Sequence, residues 1–417
     1  MSRNGHRAWA PVLTGRAAHQ ALDVVRALAD ALADPCGEDE LPSAPDLAMR
    51  ALFFSSCADA LPVSGHAVTS GRLLEAAVAA ANERALFPAL HGGLLTVAWA
   101  ARRLAGPDDD ASQEIDAALA VELASRPWRG SYDLVGGLVG LGVYALERPQ
   151  LPSARALLSL ALAQLEARAT AAESGLAWHT PPAGLPPAQR ALSPAGHYNI
   201  GVAHGAAGVL GLAARALAAG VEVERAERLV RGGGAWIASI GSTGADARYP
   251  SWIAGSADYD RLEPPRTPSR SAWCYGDPGV AAQLWAAGRS AGRPSWCRDA
   301  MSLAHRALRR PVRRARILDA GLCHGAVGFA HILNRLGQAS GDRALRAGAA
   351  DWYRRSLSMR RPGAGCTGYL THVPDRRPPW RADRSFLTGA CGIGLALLAA
   401  CSEAPPRWDR CLLLDVT

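Results

Sequence analysis

Cys274 and Cys323 occupy the same place in two related stretches, SAWCYGDPGVA from Ser271 to Ala281 and LCHGAVGFAHIL from Leu322 to Leu333. Each cysteine stands two residues before a Gly-x-x-Gly step that opens an apolar helical run, and His324 follows the second cysteine directly. Two thiolates and one imidazole suit zinc, and three protein ligands leave the fourth tetrahedral position open for water or substrate. A fourth strong protein ligand would instead make the site structural. The same residues also fit two buried cysteines and a packed histidine at glycine-rich helix starts. An open zinc carrying two thiolates binds a further thiol and lowers its pKa, so that thiolate forms at neutral pH. The reaction to expect is sulfur alkylation. His204, one place before its own Gly-x-x-Gly step, is poised as a general acid or base, or as a cap on the neighbouring helix. Arg270, three residues before Trp273, can hold an anionic or enolate oxygen, or simply face solvent. His91 shares the cysteines' register without a supporting motif and is read as structural.

The step that carries these residues recurs. Aligned on it, the copies are HGGLLT from His91, VGGLVG from Val135, AHGAAG from Ala203, CYGDPG from Cys274, CHGAVG from Cys323 and LTGACG from Leu387, with threonine replacing the second glycine of the first. Their spacing runs from 44 residues (Gly93 to Gly137) to 71 (Gly205 to Gly276), room for an inner helix, a turn and an outer helix in each unit. A helical-hairpin repeat returns the chain to the same side once per unit. All six helix starts therefore belong at one end of a ring, and Cys274, Cys323, His324, His204 and Asp133 converge there. Asp133 also fits the ordinary role of an aspartate leading into a helix, that of a cap. The expected fold is an all-α toroid of six to seven helical hairpins, a single domain over 1–417.

Residues 16–34 read as an amphipathic helix, a degenerate first repeat or a cap, followed by a Pro- and Ser-containing connection and a helix over 71–85. Leu94 to Leu104 is apolar almost all round and belongs inside. Asp108, Asp109 and Asp110 mark a turn before a helix over 113–125, and 153–172 reads as an outer helix. Two irregular excursions, about 173–200 with five prolines and 241–270, run straight into His204 and Cys274 and are expected to shape a mouth. An outer helix follows over 343–357, and 386–400 closes the barrel.

Composition narrows the function classes. The formal charge of +8 is modest for 417 residues, and no basic stripe is interleaved with aromatics, so no nucleic-acid partner is expected. Lysine is absent and every basic residue is arginine. The run RALRRPVRRAR, Arg306 to Arg316, reads as the solvated face of an outer helix or as a dock for an acidic partner. The amino terminus lacks an apolar signal-peptide core and no apolar run reaches a membrane span, so a cytosolic protein is expected, with no direct membrane insertion. Nine irregularly spaced cysteines argue against a disulfide framework, and the seven outside the motifs read as structural or incidental.

With these residues in place the chain resembles the lanthipeptide (lantibiotic) cyclases, the LanC-like family. The resemblance rests on YDLVGGLVG (Tyr132 to Gly140), WHTPP with NIGVAHGAAG (Asn199 to Gly208), RSAWCYGDPG (Arg270 to Gly279) and LCHGAVG (Leu322 to Gly328), and covers about residues 80 to 400. It implies an α/α toroid with one central zinc held by Cys274, Cys323 and His324. It further implies His204 and Asp133 as the acid/base pair, with Arg270 and Tyr275 near the metal. The implied reaction adds cysteine thiols of a dehydrated precursor peptide across dehydroalanine or dehydrobutyrine, making lanthionine or methyllanthionine thioethers. The implied partners are that peptide with its leader, a dehydratase, and a peptide transporter complex at the membrane. Two other readings compete: a thiol alkyltransferase resembling the protein prenyltransferases, and a zinc-stabilised scaffold that binds peptide or glutathione without cyclising it.

Overall fold

The computed structural model describes residues 9–33, 42–61, 65–105, 112–242, 247–259, 262, 268–374 and 376–416. Its first eight helices are α1 (Gly15–Ala33), α2 (Ala44–Ala60), α3 (His66–Glu83), α4 (Leu94–Leu104), α5 (Gln113–Ser125), α6 (Leu138–Ala145), α7 (Pro152–Ala167) and the short α8 (Pro187–Leu192). They are followed by α9 (Ala206–Ala218), α10 (Val223–Ile240), α11 (Asp277–Ser290), α12 (Pro294–Arg309), the one-turn α13 (Val312–Ala315), α14 (Ala326–Ser340), α15 (Arg343–Ser358) and α16 (Ala390–Cys401).

Seven of these form an inner ring in the order α2, α4, α6, α9, α11, α14, α16, and α16 packs back on α2 to close an α/α toroid. Around it, α3 covers α2, α7 covers α6, α10 covers α9, α12 covers α11, α15 covers α14 and α1 covers α16, while α5 packs on α7. Hydrophobic pattern sorts the two layers. All eight residues of α6 and eleven of the twelve in α16 are buried. The outer α12 buries only Trp296, Ala300, Leu303, Ala304 and Ala307, a single stripe at helical spacing.

The six-residue step has a steric cause. In five of the six copies a Cβ on the first glycine would collide with the carbonyl oxygen six residues earlier, 2.3 Å from that of Asn199 at Gly205 and 2.0 Å from that of Arg270 at Gly276, while at Gly325 it would meet the backbone of Gly321 and Asp319 Oδ1. One turn on, the second glycine meets the same obstacle: Gly208 faces Val202 at 2.4 Å and Gly279 faces Trp273 at 2.3 Å. The chain doubles back over the first helical turn so closely that only hydrogen fits at both places. Gly276 also has φ +102°, a conformation that favours glycine. In the first copy Thr96 takes the place of the second glycine, and its hydroxyl donates to the carbonyl of Leu90, again six residues back.

Neighbouring loops are then laced together by their backbones. His91 N–H donates to Val135 O, Leu134 to Ala203, Ala203 to Cys274, Cys274 to Cys323 and Cys323 to Leu387, over distances of 2.6–3.4 Å. This belt runs through the first residue of each hexamer. It carries Cys274 and Cys323 side by side.

Several boundaries differ from the sequence expectation. The connection before the 71–85 helix contains α2, an inner helix started by Ser43, whose hydroxyl accepts from Asp46 N–H. The expected 71–85 helix is α3, which begins at His66. The first helix is neither a repeat nor a cap but the outer partner of α16; Val12 and Leu13 N–H both bond Ala400 O. The 153–172 helix stops at Ala167, because Thr170–Ala172 (β1) pairs with Gly175–Ala177 (β2). The Asp108–Asp110 turn and Cys36 lie outside the described residues. None of the described helices is long and apolar enough to cross a membrane.

The centre of the ring is filled by the segment from Trp408 to Val416. Trp273, Gln283, Arg215 and Trp285 donate to its carbonyls at 2.7–3.1 Å. Asp409 is its anchor, fully buried against Arg335 (2.6 and 2.7 Å) and His331 (2.7 Å) on α14. Burial opposes ionisation of Asp409, but Arg335 and His331 hold its carboxyl far below the usual range. Asp409→Asn, which strands the Arg335 charge, is expected to cost about 3–5 kcal/mol in chemical denaturation. Because the folded pKa is depressed, the wild-type contribution is present above the ordinary carboxyl range and is lost only as pH falls through the folded value.

Candidate active site

The metal-ligand residues predicted from the sequence meet at the belt. The ligand atoms of Cys274, Cys323 and His324 all lie within 4.8 Å of one another, and among the described residues no other such cluster occurs. Cys274 is buried, while Cys323 and His324 are half-buried and open onto a cavity. A tetrahedral zinc would set such ligands about 3.5–3.8 Å apart, and two sulfurs with one imidazole are a favoured donor set, so these residues fit the ion. The hydrogen bond from Cys323 holds the Cys274 thiol well below its ordinary range against the cost of burial, with His324 and Arg270 adding to it. The same bond, together with burial, pushes Cys323 up.

On the neighbouring loops, His204 Nδ1 lies 2.6 Å from Asp133 Oδ2. Asp133 is not the cap that an aspartate leading into a helix suggests: the N-cap of α6 is Gly137. The turn-forming place, six residues before the first glycine, holds Ser131, Asn199, Asp319 and Asp383 in four of the loops. Each accepts from the N–H two residues on. Asp133 sits two residues later; one oxygen accepts from Gly136 N–H at 2.9 Å and the other is left for His204. Burial works to lower the His204 pKa, but the hydrogen bond to Asp133 and its charge, with the Cys274 sulfur behind them, raise it above the ordinary value. Asp133 is correspondingly held low, although burial alone would raise it.

Tyr275 stacks on His204 with ring centroids 6.2 Å apart, and its hydroxyl accepts from Asn199 Nδ2 at 3.3 Å. Burial pushes the phenol up to about 12, so it stays protonated. Arg270 lines the same cavity, near enough for its charge to favour the Cys274 thiolate. His91 shares the ring register but turns away: its Nε2 bonds Cys411 O at 3.1 Å, and burial lowers its pKa to about 4.

The cavity measures about 980 Å³. Its outer wall comes from the two excursions, which are joined by one antiparallel sheet of His179–Thr180 (β3), His197–Asn199 (β4) and Trp252–Ala254 (β5). A further hairpin, Thr371–His372 (β6) with Trp380–Arg381 (β7), lies apart from it. Gln189 and Leu192 of α8 and Trp252 of β5 face the cavity from opposite excursions. The second excursion is pinned to the start of α11, where buried Asp277 accepts from Arg248 and Tyr249 N–H at 3.0 Å. Sequence reasoning missed Asn199 and Trp252 as parts of the site. Asn199 carried a signal, six residues before Gly205; a three-residue strand around Trp252 carries none.

A structure titled nisin cyclase superposes on the chain with a TM-score of 0.74 at 17% identity, covering 95% of this chain and 97% of that one. No curated protein sequence matches the chain. Residues 51–413 match the family described as "Lanthionine synthetase C-like protein". A match across that much of the sequence, step motifs included, settles the family: the chain belongs to the lanthionine synthetase C-like proteins.

Proposed function

We propose that the protein forms thioether rings in a peptide, adding cysteine thiols across dehydroalanine or dehydrobutyrine to give lanthionine or methyllanthionine. The observation that carries this reading is that the Cys274, Cys323 and His324 cluster and the Asp133-supported His204 open on one cavity from adjacent loops. Cys274, Cys323 and His324 would hold one zinc, which supplies a site where a peptide thiol is bound as thiolate. In the addition a sulfur–carbon bond forms at the β-carbon, the alkene electrons pass toward the carbonyl, and the α-carbon then takes a proton. No oxidant or cosubstrate is consumed.

His204 is the donor for that proton, its Nδ1 engaged by Asp133 so that Nε2 is left for the substrate. Arg270 places a fixed positive charge beside Cys274, where an enolate oxygen would need it. Tyr275 packs against His204 and holds the imidazole plane. The substrate is a dehydrated precursor peptide with its leader, as the name of the structurally similar nisin cyclase suggests. A dehydratase must act first, because serine and threonine do not accept thiols; assembly with it and with a peptide transporter belongs to the same proposal, as does a cytoplasmic location.

Addition conserves mass, so the test is the count of free thiols. Zinc-loaded protein incubated with a dehydrated cysteine-containing peptide should remove alkylatable thiols, seen by mass spectrometry after thiol blocking. Thiols that persist at the rate of the uncatalysed control refute the reading. Mass gain from a prenyl diphosphate would replace it with prenyl transfer, and peptide binding without thiol loss with a scaffold.

A further inference from the structure

The arginine run is the one sequence motif that the site does not absorb. From Arg306 to Leu318 there are six arginines and no acidic residue. The structure divides them. Arg310 points inward, buried, and donates to Ser269 O and Ser271 Oγ at 3.1 Å. Arg309, Arg313 and Arg316 are exposed, and none of the three pairs with a described carboxylate. On α10, by contrast, the exposed Arg228 and Arg231 and the half-buried Arg225 are each paired with a glutamate. Two large apolar side chains, Val312 (42% exposed) and Leu318 (57%), stand in the same surface.

This surface is continuous with the cavity. Ser271 N–H bonds Ala315 O at 2.9 Å, so α13 runs beside the segment that leads to Cys274. Arg316, in a left-handed conformation (φ 57°), bonds Pro268 O at 3.1 Å and itself lines the cavity. Positive charge without a carboxylate partner attracts an acidic partner and orients it.

We propose that the face carrying Arg309, Val312, Arg313, Arg316 and Leu318 docks an acidic segment, with interspersed apolar residues, of the same peptide whose cysteine enters the cavity. This rests on the reading of a peptide substrate. A dock at the lip holds the chain while successive thiols reach one site, which raises their effective concentration without binding any ring tightly.

The test measures docking apart from chemistry. The probe is a fluorescein-labelled peptide of alternating Glu and Leu, without cysteine or dehydro residues, titrated with the full-length zinc-loaded protein. Wild type should bind, weakening as salt rises from 50 to 300 mM. Arg309→Glu/Arg313→Glu should weaken binding at least tenfold and gain affinity for the matching Lys-Leu probe, while Arg228→Glu/Arg231→Glu on α10 should not. Equal loss in both double variants would reduce the effect to net charge and overturn the dock. Binding of phosphatidylglycerol vesicles through Arg309 and Arg313, uncontested by the acidic peptide, would overturn it in favour of a membrane surface. Cys323→Ala should still bind the probe. Probe binding with no thiol loss on a dehydrated peptide sinks the cyclase chemistry and leaves the dock; thiol loss with no effect of charge reversal does the opposite.

Discussion

Cys323→Ala is expected to lose zinc and ring formation together, with the fold intact. The fold survives because Cys323 holds the ring through its backbone: its N–H donates to Leu387 O at 2.6 Å and its carbonyl accepts from Trp273 and Cys274. None of these bonds needs the sulfur. The metal is lost because only three protein ligands are offered, and two cannot hold zinc against water at ordinary concentrations. Outer partners of metal ligands cost about 10- to 100-fold in affinity when removed, and a direct ligand must cost more. Metal analysis of the purified protein should read one zinc per chain in wild type and none in the variant. Cys297→Ala, on α12 away from the cluster, should keep its zinc. Full zinc in Cys323→Ala would refute the site, and zinc lost equally in Cys297→Ala would mean that loss reports unfolding.

The hexamer made this site legible before any coordinates. Its two glycines are dictated by carbonyls that leave no room for a Cβ, so the step is visible wherever the loop recurs, and shared register implied shared position. That inference held for the cysteines because the belt of hydrogen bonds passes through the first residue of each copy. It says nothing of which first residues bind: His91 holds the same place and spends its imidazole on Cys411. The inner helix α2 escaped notice for the complementary reason. It starts on a serine cap rather than a glycine step, so the ring's seventh member left no repeat to align. The mouth was legible only as prolines and irregularity, since strands of two or three residues carry no periodicity. Trp252 is set there by pairing between segments more than fifty residues apart.

His204→Asn is expected to slow ring formation about 10²- to 10⁴-fold, the usual range for a positioned acid or base, while leaving zinc content unchanged. Asn keeps a polar group near Asp133 but cannot carry the proton. Asp133→Asn acts through the histidine. It removes the charge that holds the His204 pKa up, so the imidazolium is lost at lower pH. The sign follows from the donor role. A raised pKa keeps His204 protonated to higher pH, and activity falls as pH rises through that value; in Asp133→Asn the alkaline fall should move toward lower pH. A pH–rate profile reads this directly, and a residue that served only to cap a helix would not move it. The two side chains act as one unit, so the double variant should be little slower than His204→Asn alone. Additive losses would mean that Asp133 works elsewhere. A His204→Asn protein that closes rings at the wild-type rate would remove the histidine from the chemistry and leave water, or the stacked Tyr275, to deliver the proton.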